Sequence, residues 1–396
     1  MAIKQQKKSS PKQNKDLFKF LAVGDVELRI NYPYGSYDPA KKMNSRLSDV
    51  LRYLEFVMET AEVMQCSHVF FLGDLFDCPD PEEDLQRHFI QVVGGFIMNG
   101  GTVVVVLGNH DQKGSISNSL SSFQVYPNIK LMVVSDFTIY FPRGLRLPDN
   151  RPSPIISSDN VEFVLVPWND DHGFIHQHLK DLNGDRYKVV LGHCEIKGAT
   201  IGPLDHVYTE GIDPDLLKNR KIIYKAFGHF HSPQKLYVGS LYRIDFGERN
   251  DVKLFKYVCI DMKKGEVVDE QLFHTGDRDF IQFDYTPDVD YNKLVEDNKS
   301  KINGAVVKVV FSGPREFVRM VDVNAVRSVL YHYQAFKVVT DVDIKDVKEA
   351  RKTIPMTGLG GVNSSKILRE YCRRFGGDRK AEREKFGMEI LSGVSK

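Results

Sequence analysis

Residues 102–111 read TVVVVLGNHD. Thr102 to Leu107 is too short for a helix, β-branched and apolar on both faces, which predicts a strand buried inside a sheet. It stops at a glycine and hands over at once to Asn109-His110-Asp111, in which Asn109 and His110 are the candidate ligand types. Working outward, the same arrangement recurs. Phe18 to Val23 leads into Gly24-Asp25, with Glu27 two residues on, and His68 to Leu72 leads into Gly73-Asp74, with Asp77 three residues on. Lys188 to Leu191 leads into Gly192-His193, and Ile222 to Phe227 leads into Gly228-His229-Phe230-His231. Five strand ends thus deliver polar ligand types, and in α/β sheets the carboxyl ends of strands are where ligands and catalysts collect.

Between these runs lie helical patterns. From the cap Asn44/Ser45, apolar residues Leu47, Val50, Leu51, Leu54, Val57, Met58, Ala61 and Met64 recur at helical spacing. Leu85, Phe89, Val92 and Phe96 mark a second helix, with Pro81 after Asp80 as its expected first-turn proline. Alternating strands and helices of this length predict βαβ units and a layered α/β fold. Beyond about residue 275, strands at Phe280 to Tyr285, Ala305 to Phe311 and Phe336 to Val339 alternate with helical stretches near 290–302 and 322–333, a small second α/β unit. Ser364 to Phe375 and Asp378 to Leu391 read as two amphipathic helices joined at Gly376-Gly377.

The net charge of +1 conceals segregation: residues 1–15 contribute +5 and residues 366–396 contribute +4, leaving −8 in between. An acidic body is unusual for a protein that grips nucleic acid directly. No apolar run is long enough for a membrane span and the first residues lack a signal-peptide core, so membrane insertion and secretion are not expected. The five cysteines are scattered without a C-x-x-C pair, which argues against a disulfide framework or a cysteine zinc site and fits a reducing, cytoplasmic setting.

Singly, an Asp or His at a strand end is a turn or packing residue more often than a ligand. Together, Asp25, Glu27, Asp74, Asp77, Asn109, His110, His193, His229 and His231 form a set of carboxylate, amide and imidazole donors without thiolate. Such a set suits manganese, iron or zinc, and two divalent ions sharing a carboxylate would clamp a phosphate and generate a hydroxide nucleophile.

The order GD, GNH, GHxH resembles the calcineurin-like metallophosphoesterases over roughly residues 18–275, and GSLYRIDFGERND at 239–251 resembles the segment after the last histidine motif of SbcD-type DNA exonuclease subunits. The resemblance implies a metallophosphoesterase β-sandwich flanked by helices, with Asp25 and His231 on one metal, Asn109, His193 and His229 on the other, and Asp74 bridging. It further implies that His110 donates a proton to the leaving oxygen or stabilises it, with Asp77 orienting His110. It implies two divalent ions, manganese first and magnesium second, 3′ to 5′ exonuclease and endonuclease action on DNA, homodimerisation through helices of the first domain, and an SbcC-like coiled-coil ATPase partner docked on the C-terminal tail. The compact layout suits a bacterial or phage-infected cell.

The family's first motif is Asp-x-His, whereas this chain has Asp25-Val26-Glu27. Glu27 is either a ligand favouring hard cations or the mark of a weakened first site. Two rival functions therefore stand beside the nuclease: a small-molecule phosphodiesterase or phosphatase, which needs neither 239–251 nor the chain beyond 275, and a catalytically weakened scaffold. Lys113 and Arg243 are candidate phosphate contacts. His172, His176, His178 and His206 are expected on the surface, and Trp168 is expected to pack or to line the site's rim. The expected organisation is a basic tail at 1–16, a nuclease domain at 17–275, a DNA-binding cap at 276–350 and a docking tail at 351–396.

Overall fold

The computed structural model describes residues 16–113, 117–123, 130–140, 160–182, 184–201 and 206–345. The chain divides into Met1–Ile344 and Lys345–Lys396. The basic tail and the helix pair expected at 364–391 lie outside the described residues.

The first sheet is built from β1 (Leu17–Val23), β2 (His68–Leu72), β3 (Thr102–Val106) and β4 (Leu131–Val134). A second, shorter sheet holds β5 (Thr138–Tyr140), β6 (Val161–Val166), β7 (Tyr187–His193) and β8 (Ile222–Gly228). The chain then returns to the first sheet through β9 (Leu254–Asp261) and β10 (Glu266–His274), giving the orders β10-β9-β1-β2-β3-β4 and β8-β7-β6-β5. β1, β2, β3 and β4 run parallel to one another, as do β6, β7 and β8, so the carboxyl ends of five ligand-bearing strands emerge on one side.

Side-chain alternation along β1 explains the layering. Phe18, Phe20 and Ala22 face the second sheet, where Phe20 packs edge-on against Phe163 of β6 at 5.6 Å and Phe70 of β2 stacks on the same ring at 5.5 Å. Leu21 and Val23 face the other way, into a core shared with α1 (Ser45–Val63) and α2 (Glu83–Met98). The outer face of the second sheet, through Val164, Val166 and Val190, is covered by Ile175 and Leu179 of α3 (His172–Lys180). The result is a four-layer mixed α/β sandwich, helices outside and two sheets within, the architecture that the resemblance implies.

α1 begins where the sequence places it, with the Asn44 side chain accepting from Arg46 N–H at 2.8 Å. α2 starts two residues later than Pro81 predicts. Pro81 stays in the entry turn, its carbonyl accepting from Gln86, and the helix opens at Glu83 and Asp84, whose charges suit the amino-terminal dipole. Strands β9 and β10 have no counterpart in the sequence expectations: LFKYVCID and EVVDEQLFH break the apolar pattern with charge, and β10, exposed along most of its length, is a sheet edge.

The small parallel sheet is present as β11 (Phe280–Tyr285), β12 (Val306–Gly313) and β13 (Lys337–Ile344). Its core side is covered by α4 (Tyr291–Asp297), α5 (Lys299–Ile302) and α7 (Val323–His332), and the short α6 (Arg315–Met320), which carries no buried residue, escaped the sequence reading. The sheet is fastened to the sandwich. Arg278 forms a two-pronged contact with Asp49 of α1 at 2.5 and 2.9 Å, and Phe280 meets Tyr34 and Phe246 edge-on at 5.4 and 5.0 Å.

Candidate metal centre

The ligands arrive on backbone that only tight packing allows. A β-carbon at Gly73, whose φ is +93°, would sit 1.9 Å from the His193 ring, and one at Gly108 would sit 2.1 Å from the Asp74 carboxylate. The glycine before each ligand therefore lets neighbouring strand ends close on a common point. Three ligand-type residues carry the strain themselves: Glu27, Asp74 and His229 have φ of 44°, 47° and 101°. Positive φ in residues with side chains clusters at functional sites, where surrounding bonds hold it. Here those bonds are visible. Asp74 carbonyl accepts from Val26 and Glu27 N–H at 3.1 and 2.8 Å, and the buried Asp25 carboxylate accepts from His229 N–H at 2.9 and 3.1 Å.

One half of the centre gathers Asn109, His193 and His229. His193 Nδ1–H donates to Leu72 carbonyl at 2.8 Å, which directs Nε2 at Asn109 Oδ1, 3.0 Å away, and at Asp74 Oδ2, 3.3 Å away. His229 directs Nε2 at Glu195 Oε1, 3.3 Å away, and Nδ1 at the same Asn109 Oδ1, 3.1 Å away. Two imidazole nitrogens, an amide oxygen and a carboxylate oxygen thus converge, an arrangement of electron-pair donors that a cation resolves. Asp74, His193 and His229 offer ligand atoms all within 4.8 Å of one another. The same groups shift one another's protons. Burial works to lower the His193 pKa, but the Asp74 carboxylate prevails and raises it to about 9; burial pulls His229 down to about 3, aided by His193.

The other half is anionic. Glu27, Asp74 and His110 form a second group within the same 4.8 Å limit, so Asp74 is common to both. Glu27 Oε1 faces His231 Nε2 at 3.2 Å, and His231 Nδ1 meets Glu248 Oε1 at 2.9 Å. Glu248 in turn receives the fully buried Lys253 ammonium at 2.8 Å. This carboxylate–histidine relay fixes the ring and presents Nε2 to the site, as outer partners do at metal centres. Arg29 lies between two acids, pairing with Glu27 and with Asp77 Oδ1 at 2.6 Å. His110 Nδ1 is 3.7 Å from Asp77 Oδ1, and Asp77 is the main influence raising the His110 pKa to about 9. His110 N–H also donates to Asp74 Oδ1 at 2.8 Å. For Asp74, burial is outweighed by His193 and His110, and its pKa falls to about 2, so it is ionised throughout the neutral range.

The candidates are therefore brought together, with differences of detail. Asp25 belongs to neither three-residue group; its nearest side-chain contact among the histidines is His193 Nδ1 at 3.9 Å, and it braces the His229 backbone. His110, expected only beside the metals, offers a nitrogen within the Glu27–Asp74 group. Arg243 does not point at the site: it is committed to Asp277 at 2.8 Å and to the carbonyls of Arg278 and Asp251, tying 239–251 to the start of the small sheet. Lys113 pairs with Asp80 on the surface. Trp168 stacks on His229 at 4.9 Å and 28°, forming the rim. His172, expected on the surface, reaches Glu195 at 3.2 Å and extends the relay behind His229. His176 accepts from Asp213 N–H, His178 is half-buried between the rings of Phe137 and Phe174, and His206 is exposed.

Four supporting residues escaped the sequence reading. Asp111 is fully buried and accepts from Gly108, Leu75 and Phe76 N–H and from Ser119 hydroxyl at 2.9–3.3 Å, stapling the Asn109 turn to the Asp74 turn. Arg29, Glu195 and Glu248 are the others. Each stands within two residues of a motif or inside a quoted one, but nothing in a single sequence says which side chain turns inward.

Residues 18–233 match the family model described as calcineurin-like phosphoesterase. The chain is similar to the SbcD component of the nuclease SbcCD from Escherichia coli K12 and from O157:H7, each 24% identical over 261 residues, covering 57% of this chain and 63% of the relative. Among solved structures it is similar to a dimetal phosphatase from Danio rerio, with 12% identity and TM-score 0.34 over 65% of this chain and 99% of the other. GAP50, described as the anchor in the inner membrane complex of Plasmodium, gives 13% identity and TM-score 0.34 over 65% of this chain and 89% of the other. With its matched segment spanning more than half the sequence and holding the strand ends from Asp25 to His231, the chain belongs to the calcineurin-like phosphoesterase family.

Proposed function

We propose that this phosphoesterase is a two-metal DNA nuclease, the catalytic component of an ATPase-coupled complex. The observation that carries the reading is the role of residues 239–251. This segment supplies Glu248, which holds His231, and Arg243, which grips Asp277 at the entrance to the small sheet. A small-ester phosphatase has no need for a metal ligand braced from a segment that also anchors a second sheet; a nuclease that reads a long polymer does. The similarity to a nuclease component over 57% of the chain supports the same reading.

Asn109, His193, His229 and Asp74 would hold one divalent ion, and Asp74, Glu27, Asp25 and His231 the other, with His110 close by. When bound, the ions supply Lewis-acid polarisation of the phosphate and activation of water at neutral pH. Glu27 makes the second set oxygen-rich, which favours manganese or magnesium over softer metals and supports its reading as a ligand. The chain's own chemistry is proton management. His110, kept protonated by Asp77, delivers a proton to the departing oxygen, and Arg29 limits the negative charge of Glu27 and Asp77 without consuming it. The partner we propose is an SbcC-like coiled-coil ATPase on residues 351–396, with a homodimer formed through α1 and α2, in a bacterial or phage-infected cytoplasm. Cys66, Cys78, Cys194 and Cys259 are free thiols, in keeping with a reducing setting, and no helix among the described residues is long and apolar enough to cross a membrane.

Incubation with manganese, a labelled duplex and a chromogenic phosphodiester, with and without the ATPase, tests the reading. Cleavage of both substrates is expected; hydrolysis of the small ester alone, even with the ATPase present, would leave a phosphodiesterase.

A further inference from the structure

A cavity of about 240 Å³ opens between two loops, 196–199 and 234–237, and the turn at Pro214–Lys218. Its floor is apolar, with Leu217, Leu236 and Tyr237, yet four lysines line it: Lys197, Lys218, Lys225 and Lys235. Only Lys218 has a carboxylate, Asp215 at 2.6 Å. Lys225 donates to Leu217 carbonyl at 2.7 Å, and among the described residues Lys197, Lys225 and Lys235 have no acidic partner. Lys225 is half-buried and Lys197 and Lys235 are exposed at the rim, so three ammonium groups without an acid gather round one concavity of a body whose formal charge is −8. Like charges gathered round one concavity repel one another, and an anion seated among them turns that repulsion into attraction. Burial and the nearby Lys235 both press Lys225 below the ordinary lysine range, the strain that an anion would relieve.

The position of the cavity gives it a purpose. Its two loops begin three residues after His193 and three after His231, and they are bolted together: Tyr237 hydroxyl accepts from Ile196 N–H at 2.8 Å and donates to Cys194 carbonyl at 3.0 Å, while Gln234 exchanges hydrogen bonds with Thr200 backbone at 2.8 Å in both directions. The loops that carry Lys197 and Lys235 are therefore held to each other, a few residues beyond His193 and His231. We propose that this cavity is a phosphate subsite that holds a backbone phosphate of the nucleic-acid strand remote from the scissile one. The proposal deepens the nuclease reading and rests on it. It also answers how an acidic body holds a polyanion: not over its surface, but at one built point on the loops that follow His193 and His231.

Lysine acylation of the full chain, in manganese, tests it with two probes, inorganic phosphate and a single-stranded phosphorothioate oligonucleotide that resists cleavage. The oligonucleotide is expected to shield Lys197, Lys225 and Lys235 several-fold more than Lys263 in the β9–β10 turn. In parallel, Lys197→Ala/Lys235→Ala should raise KM for oligonucleotide cleavage about tenfold with small-ester turnover unchanged, and should flatten the log affinity against log salt slope by about 1.4, two single-strand contacts at ~0.7 each. Shielding by inorganic phosphate but not by the oligonucleotide would overturn the strand assignment, and shielding by neither would overturn the subsite altogether. If the wild type hydrolyses the small ester but never DNA, it is the nuclease reading that falls, while the acylation pattern still decides what the cavity binds.

Discussion

The two halves of the metal centre share Asp74 and little else. The half around Asn109, His193 and His229 has no carboxylate among its own donors, is locked by backbone (Leu72 carbonyl on His193) and is roofed by Trp168. The half around Glu27 is a charge network in which Arg29, Asp77, His110, His231, Glu248 and Lys253 alternate in sign. The first is built for fixed geometry, the second for adjustable charge. On the proposed two-metal reading, the first half would keep its ion, and the anionic half, where Arg29 already opposes the carboxylates, would govern the affinity of the other ion and the supply of protons.

The largest effect is expected where the halves join. Asp74→Asn removes the shared charge and should lower phosphodiester turnover by at least about a thousandfold, with bound manganese dropping from two ions to one or none; retention of both ions would break the comparison at its root. Next comes proton delivery. His110→Asn should cost about 10²–10⁴-fold in kcat. Asp77→Asn separates its two aspects: the His110 pKa is raised to about 9 chiefly by Asp77, so the protonated acid is present below that value and lost as pH rises through it. Without Asp77 the pKa falls toward the ordinary ~6.5, and the alkaline limb of the pH–rate profile should move to lower pH. Since the ions act on wild type and variant alike, an unmoved limb would remove His110 from the acid role.

The relays behind the ligands come third and should act one half at a time. Glu195→Gln loosens His229, and Glu248→Gln loosens His231; each is expected to weaken one of two manganese binding steps by about 10–100-fold while leaving the other in place, as read by metal titration. Equal loss of both steps in either variant would mean that the halves are not separable. The smallest effect is expected for Arg29→Met. Removing a cation beside Glu27 should tighten manganese at the anionic half by a few-fold, the scale of a partly exposed ion pair, where a merely structural arginine would weaken it.

How far the sequence discloses this centre depends on the kind of residue. The strands ending at Asp25, Asp74, Asn109, His193 and His229 are legible because a short apolar run closed by Gly and a ligand type is a pattern along the chain. So are α1 and the small parallel sheet, through spacing and caps. Asp111, Glu195 and Glu248 are not, since an acid near a motif is common and only the fold turns these three inward. Arg243 shows the converse: an arginine in a nuclease-like segment invites a phosphate, but Asp277, 34 residues on, claims it. The edge strand β10 was hidden by charges that an edge tolerates, and β9, paired on both sides, by Lys256 and Asp261, which interrupt its otherwise apolar and buried run. Glu27 was legible as a departure from the family pattern, but its meaning needed Arg29 and His231 in view.

The central claim is that Asp74 joins two different metal sites. Anomalous scattering from manganese-soaked crystals of the full chain measures it directly. Two peaks about 3.5–4 Å apart are predicted on either side of the Asp74 carboxylate, one against His193 and His229 and one against Glu27. A single peak, or a second one away from Glu27, would contradict the account.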